Sequence, residues 1–151
     1  MLLDAGYATA LMGKWGLGHE GDVSMPTRKG FDTFFGYVDQ LHAHNPYPEF
    51  LIRDEKRVPL RNRLDPATPP EAAAEGAGWA AEARDFAPDL LASEALRWIE
   101  QQHRAAPAKP FFLFWSLITP HANNEGGRVG RGQEVPDLGE YATRSWPAAD
   151  R

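Results

Sequence analysis

The sequence predicts an α/β fold, on three observations. "FFLFWSLI", Phe111 to Ile118, is apolar without alternation, the pattern of a strand covered on both faces as in parallel sheets. "PDLLASEALRWIEQQH", Pro88 to His103, is a strongly periodic helical segment that precedes it across a short proline-containing break. "YATALMGK", Tyr7 to Lys14, reads as a second buried strand of β-branched, aromatic and small apolar residues. Helix, short loop and covered strand together are the pattern of helices laid on a sheet.

The remaining elements follow in order. "MLLDAG" lacks the basic and long apolar regions of a signal peptide and reads as the last turn of a helix, with Gly6 as its cap. After Lys14, Gly16 and Gly18 mark a tight turn, and a polar loop through Met25-Pro26 follows. "KGFDTFFGY", Lys29 to Tyr37, is dense in aromatics between glycines and is expected to pack as an irregular segment. "YPEFLIRDEKRVPL" predicts a hairpin around the charged turn "RDEK". Residues 61–78, rich in proline, alanine and glycine, are expected to form a surface loop or insertion. In the helix, Pro88 suits the first turn and Asp89 and Glu94 lie toward the positive end of the dipole. Leu91, Ala95, Trp98 and Ile99 form its apolar stripe. "TRSWPAADR" offers no closing element, so the chain is expected to be cut at both ends.

Bulk properties narrow the function. A chain of 151 residues is long enough for one domain with a core. A net charge of −5 with no basic stripe argues against a nucleic-acid partner. No apolar run approaches the roughly 20 residues of a membrane span. The absence of cysteine excludes disulfides, thiolate metal sites and a cysteine nucleophile within the chain.

Two chemistry-bearing residues end the two covered strands: Lys14 closes "YATALMGK" and His121 closes "FFLFWSLITPH". Ligands of open α/β sheets bind outside the carboxyl ends of the strands. A fixed cation and an imidazole there suit an anionic, tetrahedral group. In "QLHAHNPYPEF", His42 and His44 stand two residues apart, a spacing that serves either metal chelation from one strand face or a hydrogen-bonded loop pair. His19 and His103 sit in polar contexts and are expected at the surface. No G-x-S-x-G, P-loop, dinucleotide fingerprint or H-E-x-x-H is present.

"AGYATALMGKWGLG", "KGFDTFFGY", "HAHNPYPEFLIRDEKRVPL", "DLLASEALRWIE" and "KPFFLFWSLITPHA" resemble, in order and spacing, segments of the sulfatases in the alkaline phosphatase superfamily. The resemblance covers nearly the whole chain. It implies part of an alkaline-phosphatase-like mixed sheet flanked by helices, with residues 1–151 a truncated portion of the catalytic domain. It also implies a parent enzyme that hydrolyses sulfate esters through a formylglycine nucleophile and a calcium ion held by carboxylates and an amide. The family's sulfate contacts carry over to Lys14 and His121.

Three departures bear on activity. The family's histidine two residues after the lysine is Gly16 here, and His42 or His44 is the candidate to take its role. No Cys/Ser-x-Pro-x-Arg segment exists, and neither Ser24 nor Ser93 is followed by the required residues. The family's calcium ligands fall outside the matching segments. The isolated chain is therefore expected not to hydrolyse sulfate esters. The expected substrate is a small aryl sulfate or sulfated carbohydrate, and the family analogy implies a periplasmic or secreted location. The alternatives are an inactive truncated remnant, or a fragment of a related phosphoryl-transfer hydrolase. Against the latter stand "GKWGLG" and "PFFLFWSLITPHA".

Overall fold

A computed structural model describes residues 1–147. The strands and helices are β1 (Ala8–Lys14), β2 (Thr33–Tyr37), β3 (Phe50–Arg53), β4 (Lys56–Pro59), β5 (Arg63–Leu64), α1 (Pro70–Ala74), β6 (Ala80–Glu82), α2 (Ala87–Ala105), β7 (Phe111–Ser116) and α3 (Asn124–Gly127). Five strands form a mixed sheet in the order β4-β3-β2-β1-β7, and β5 and β6 form a separate ribbon. β1 runs parallel to β2 and β7, whereas β3 runs antiparallel to β2 and β4. No helix among the described residues is long and apolar enough to cross a membrane.

The sheet is the wall between two clusters. On one side, Leu91, Ala95 and Trp98 of α2 pack on Ala10, Met12, Phe35 and Tyr37. On the other, Leu11, Phe34, Val38 and Ile52 enclose Met25, with Trp15 and Phe31 alongside. The alternation of Leu11 and Met12, and of Phe34 and Phe35, between the clusters is the two-residue period of strands covered on both faces. At the amino end, Gly6 donates to the Leu3 carbonyl (2.9 Å) and Tyr7 to the Leu2 carbonyl (3.1 Å). Gly6 itself sits at φ +81°, so the glycine cap read from "LLDAG" is present, but on a hydrogen-bonded turn over residues 2–6 rather than on a helix.

At the carboxyl ends of the central strands the backbones crowd. A Cβ on Gly13 would sit 1.8 Å from the Ser116 carbonyl oxygen, and one on Gly36 would sit 1.9 Å from the Gly13 oxygen. Only glycine allows strands to approach this closely at these φ values (+117° and +155°).

The structure departs from the sequence expectations at three places. "KGFDTFFGY" is not irregular: it carries the central strand β2, and Gly36 lies within that strand because of the close approach to Gly13. Residues 61–78 carry β5 and α1 and bury Asn62, Thr68 and Ala77. Asn62 explains the order there, donating to the carbonyls of Pro48 and Asp85 (2.8 Å each). Finally, β7 is a sheet edge rather than a covered strand: among the described residues it pairs only with β1, and Phe111, Phe112, Phe114 and Trp115 are 40–45% exposed. The expectation for "TRSWPAADR" falls partly on residues 148–151, outside the described residues.

Candidate functional site

Three segments converge where β1, β2 and β7 end. Gly13 partners Ser116 across the β1–β7 pair, and Lys14 partners Tyr37 across β1–β2. The pairing continues one step further, with Trp15 donating to the Tyr37 carbonyl (2.8 Å) and Gly16 to that of Val38 (3.0 Å). Residues 15–18, 38–45 and 117–123 therefore leave the sheet on one side. Lys14 is half-buried there and forms no ion pair among the described residues. Gly16 takes φ +70°, and a Cβ on it would lie 2.9 Å from Gln40 Oε1 and 3.4 Å from Lys14 Cε. A side chain at 16 would thus displace only the flexible end of Gln40 and touch the lysine stem at contact distance, so the positive φ is what favours glycine there.

His42 and His44 do not act as a pair. They lie in a 3-10 turn, His42–His44, rather than on a strand. With three residues per turn, positions two apart point about 120° from each other. That separates the rings and removes the shared face that chelation needs.

His44 is buried and turns toward β7. Its ring stacks on His121 with centroids 5.0 Å apart and planes 12° from parallel. Its Nδ1 faces the Glu125 carboxylate at 3.2 and 3.4 Å. His121 is exposed, and its Nδ1 lies 2.6 Å from the Ala122 carbonyl oxygen. Both rings line a cavity of about 180 Å³, with Asn123 and Glu134 on its wall.

His42 turns the other way, between Tyr37 (4.9 Å) and Phe50 (4.4 Å). Burial among these rings pushes its pKa down to about 4, against the opposing pull of Asp39. The ring is therefore neutral near pH 7. It lines a different cavity, of about 340 Å³, together with His19, Asp39, Arg57 and Glu75. His19 is exposed, as expected, and pairs with Asp39 at 3.0 Å; His103 is also exposed.

Glu125 is the residue that sequence reasoning did not single out. It stands 81 positions from His44, a separation that no periodicity connects. Asn123 places it: its Oδ1 caps α3 by accepting from Gly126 (2.9 Å), and its Nδ2 donates to the Gly78 carbonyl (2.8 Å). The only sequence signal was the polar run "HANNE" directly after the strand-end histidine.

The donors around this cavity do not fit a calcium ion. Calcium takes about six to eight oxygen ligands. Glu125 is engaged by His44, Glu134 by Arg131, and the Asn123 amide by two backbone groups. One carboxylate oxygen, Glu134 Oε2, is left without a partner.

The Sulfatase family profile matches residues 1–144. The chain is 31% identical over 133 residues to N-acetylgalactosamine-6-sulfatase of Mus musculus, covering 81% of this chain and 22% of that protein. It is 30% identical over 142 residues to arylsulfatase G of Canis lupus familiaris, covering 80% and 24% respectively. The solved structure of Ps i-CgsB superposes with a TM-score of 0.50 at 19% identity, over 90% of this chain and 30% of that one, a likeness of fold. The chain thus spans between a fifth and a quarter of the length of these curated relatives. With a family profile running from the first residue through the strand-end site and beyond it, this chain belongs to the sulfatase family, whose members are sulfuric ester hydrolases.

Proposed function

We propose that this chain supplies the sulfate-facing side of a sulfuric ester hydrolase site, built from Lys14, His44 and His121. The observation that carries the reading is the stack of His44 on His121 at the strand ends, on the edge where Lys14 emerges. The Lys14 ammonium and the His121 imidazole stabilise charge on the oxygens of the transferring group. His44 takes the proton-handling role that Gly16 leaves unfilled. What favours His44 over His42 is direction: His42 is boxed between Tyr37 and Phe50 and faces the other cavity.

The family's formylglycine has no precursor segment in this chain, and the carboxylates beside His44 do not form a calcium cage. No step is assigned here through either group. The substrate in this reading is an aryl sulfate or a sulfated carbohydrate, and a periplasmic or secreted location accompanies it by family analogy.

The test is titration of the 151-residue chain with inorganic sulfate and 4-nitrophenyl sulfate, following the histidine side-chain NMR signals. The His44 and His121 signals move together while those of His42 stay fixed. Lys14→Ala weakens the response roughly tenfold, the worth of one charge-assisted hydrogen bond. Stationary His44 and His121 signals would overturn the site. Hydrolysis of 4-nitrophenyl sulfate by this chain would overturn the statement that it carries no nucleophile.

A further inference from the structure

We propose that Glu125 is a positioning residue for His44, holding its proton on Nδ1 and keeping Nε2 as the free base; the inference rests on the site reading above. The geometry is specific. Both Glu125 oxygens face the same ring nitrogen, at 3.2 and 3.4 Å, and the two side chains are 19% and 7% exposed. A carboxylate only accepts, so the neutral imidazole that satisfies it must donate from Nδ1. The lone pair then lies on Nε2. When Nε2 takes a proton, the carboxylate holds the imidazolium in place through the same bond, as an acid behind a histidine does in triads.

The neighbouring ring gives the arrangement its purpose. His121 has its own Nδ1 committed to the Ala122 carbonyl, so the two stacked imidazoles both offer Nε2. They differ in what stands behind them: a neutral carbonyl for His121, an anionic carboxylate for His44. The carboxylate therefore fixes the ring and tautomer of His44 through an anion, whereas a neutral group alone holds that of His121.

The support for Glu125 is built into the fold rather than into its own loop. Asn123 is only 2% exposed and ties this turn to Gly78, 45 residues away. A second tie runs from the Asn123 backbone N–H, which donates to the Gly132 carbonyl (2.8 Å). Glu125 is thus held against His44 from two directions.

The experiment reads the His44 tautomer from its two ring-nitrogen chemical shifts, in the intact 151-residue chain with nitrogen-15-labelled histidine. In the unsubstituted protein, neutral His44 is the Nδ1–H form. Glu125→Leu abolishes that preference, and Glu125→Gln weakens it, because its amide either accepts from Nδ1–H or donates to a bare Nδ1. The buried His42 ring, on the opposite side of the turn, reports whether each variant keeps its fold. Should Glu125→Leu fail to fold, the unsubstituted protein still decides the matter. An Nε2–H form of His44 there overturns the proposal, as does an Nδ1–H form that survives Glu125→Leu. Sulfate titration separates the two claims. A tautomer that depends on Glu125 in a chain whose His44 and His121 ignore sulfate leaves the positioning intact and removes the site.

Discussion

His42 shows what one residue's environment does to its chemistry. Enclosed by Tyr37 and Phe50, its imidazole has a pKa near 4, because burial penalises the charged form. The unfolded chain binds a proton near pH 6.5, so between pH 6.5 and 4 the unfolded state holds more protons than the folded one. Stability from this group is complete above pH 6.5 and falls as the pH drops toward 4, by about 3 kcal/mol at most. His42→Leu should flatten that part of the profile, as measured by urea midpoints from pH 7 to pH 4. An unchanged slope would show that the ring is not desolvated. Whereas His121 lies beyond the end of β7 at Ser116, the place of Lys14 at the end of β1 was legible in the sequence because a strand-end position is a local property. The divergence of His42 and His44 was not, because their two-residue spacing has opposite meanings on a strand and in a 3-10 turn.

Among elements, α2 was the most legible, since Leu91, Ala95 and Trp98 are buried at the spacing its sequence shows. What periodicity could not show is that Glu94, near the helix start, lies 8% exposed between Arg53 of β3 and Arg97 of the next turn. Burial would raise its pKa, but the two guanidiniums hold it below the ordinary glutamate range. Arg53 also lies over the Phe35 ring, 4.5 Å from its centroid, so one cation joins helix, β3 and β2. Glu94→Ala should cost about 2 kcal/mol at pH 7, less than a wholly buried pair because both arginines reach solvent. A depressed carboxylate pKa contributes stability above the unfolded value and loses it as the pH falls through the folded one. The penalty of Glu94→Ala should therefore shrink below about pH 4.5, a window lower than that of His42. Thermal denaturation of both proteins at pH 7 and pH 3 checks this, and a pH-independent penalty would assign Glu94 a packing role alone.

At the scale of the whole molecule, β7 is where sequence and structure conflict. A strand without alternation is composed for burial on both faces. Here its inner edge pairs with β1, Phe111 meets Trp98 edge-on at 5.5 Å, and Phe112 stacks on Phe31 at 6.4 Å. Among the described residues its outer edge has no strand beside it, and four aromatic side chains remain two-fifths exposed or more. This could not be read from the run itself, because burial depends on what lies beside a strand and not on the strand's own composition. A flat, apolar, uncharged edge is a template for pairing with another chain. The isolated chain should self-associate as its concentration rises, and sedimentation velocity should show a weight-average coefficient that climbs with loading. Phe114→Lys places a charge in the middle of that edge, opposite Leu11 in the register, and should hold the chain monomeric. Arg61→Ala, at an exposed site facing Asp85 and away from β7, should leave the association unchanged. If Phe114→Lys and Arg61→Ala associated alike, β7 would not be the contact. If only Phe114→Lys stayed monomeric, the strand that leads into the His121 loop would be the surface through which the chain adheres to itself.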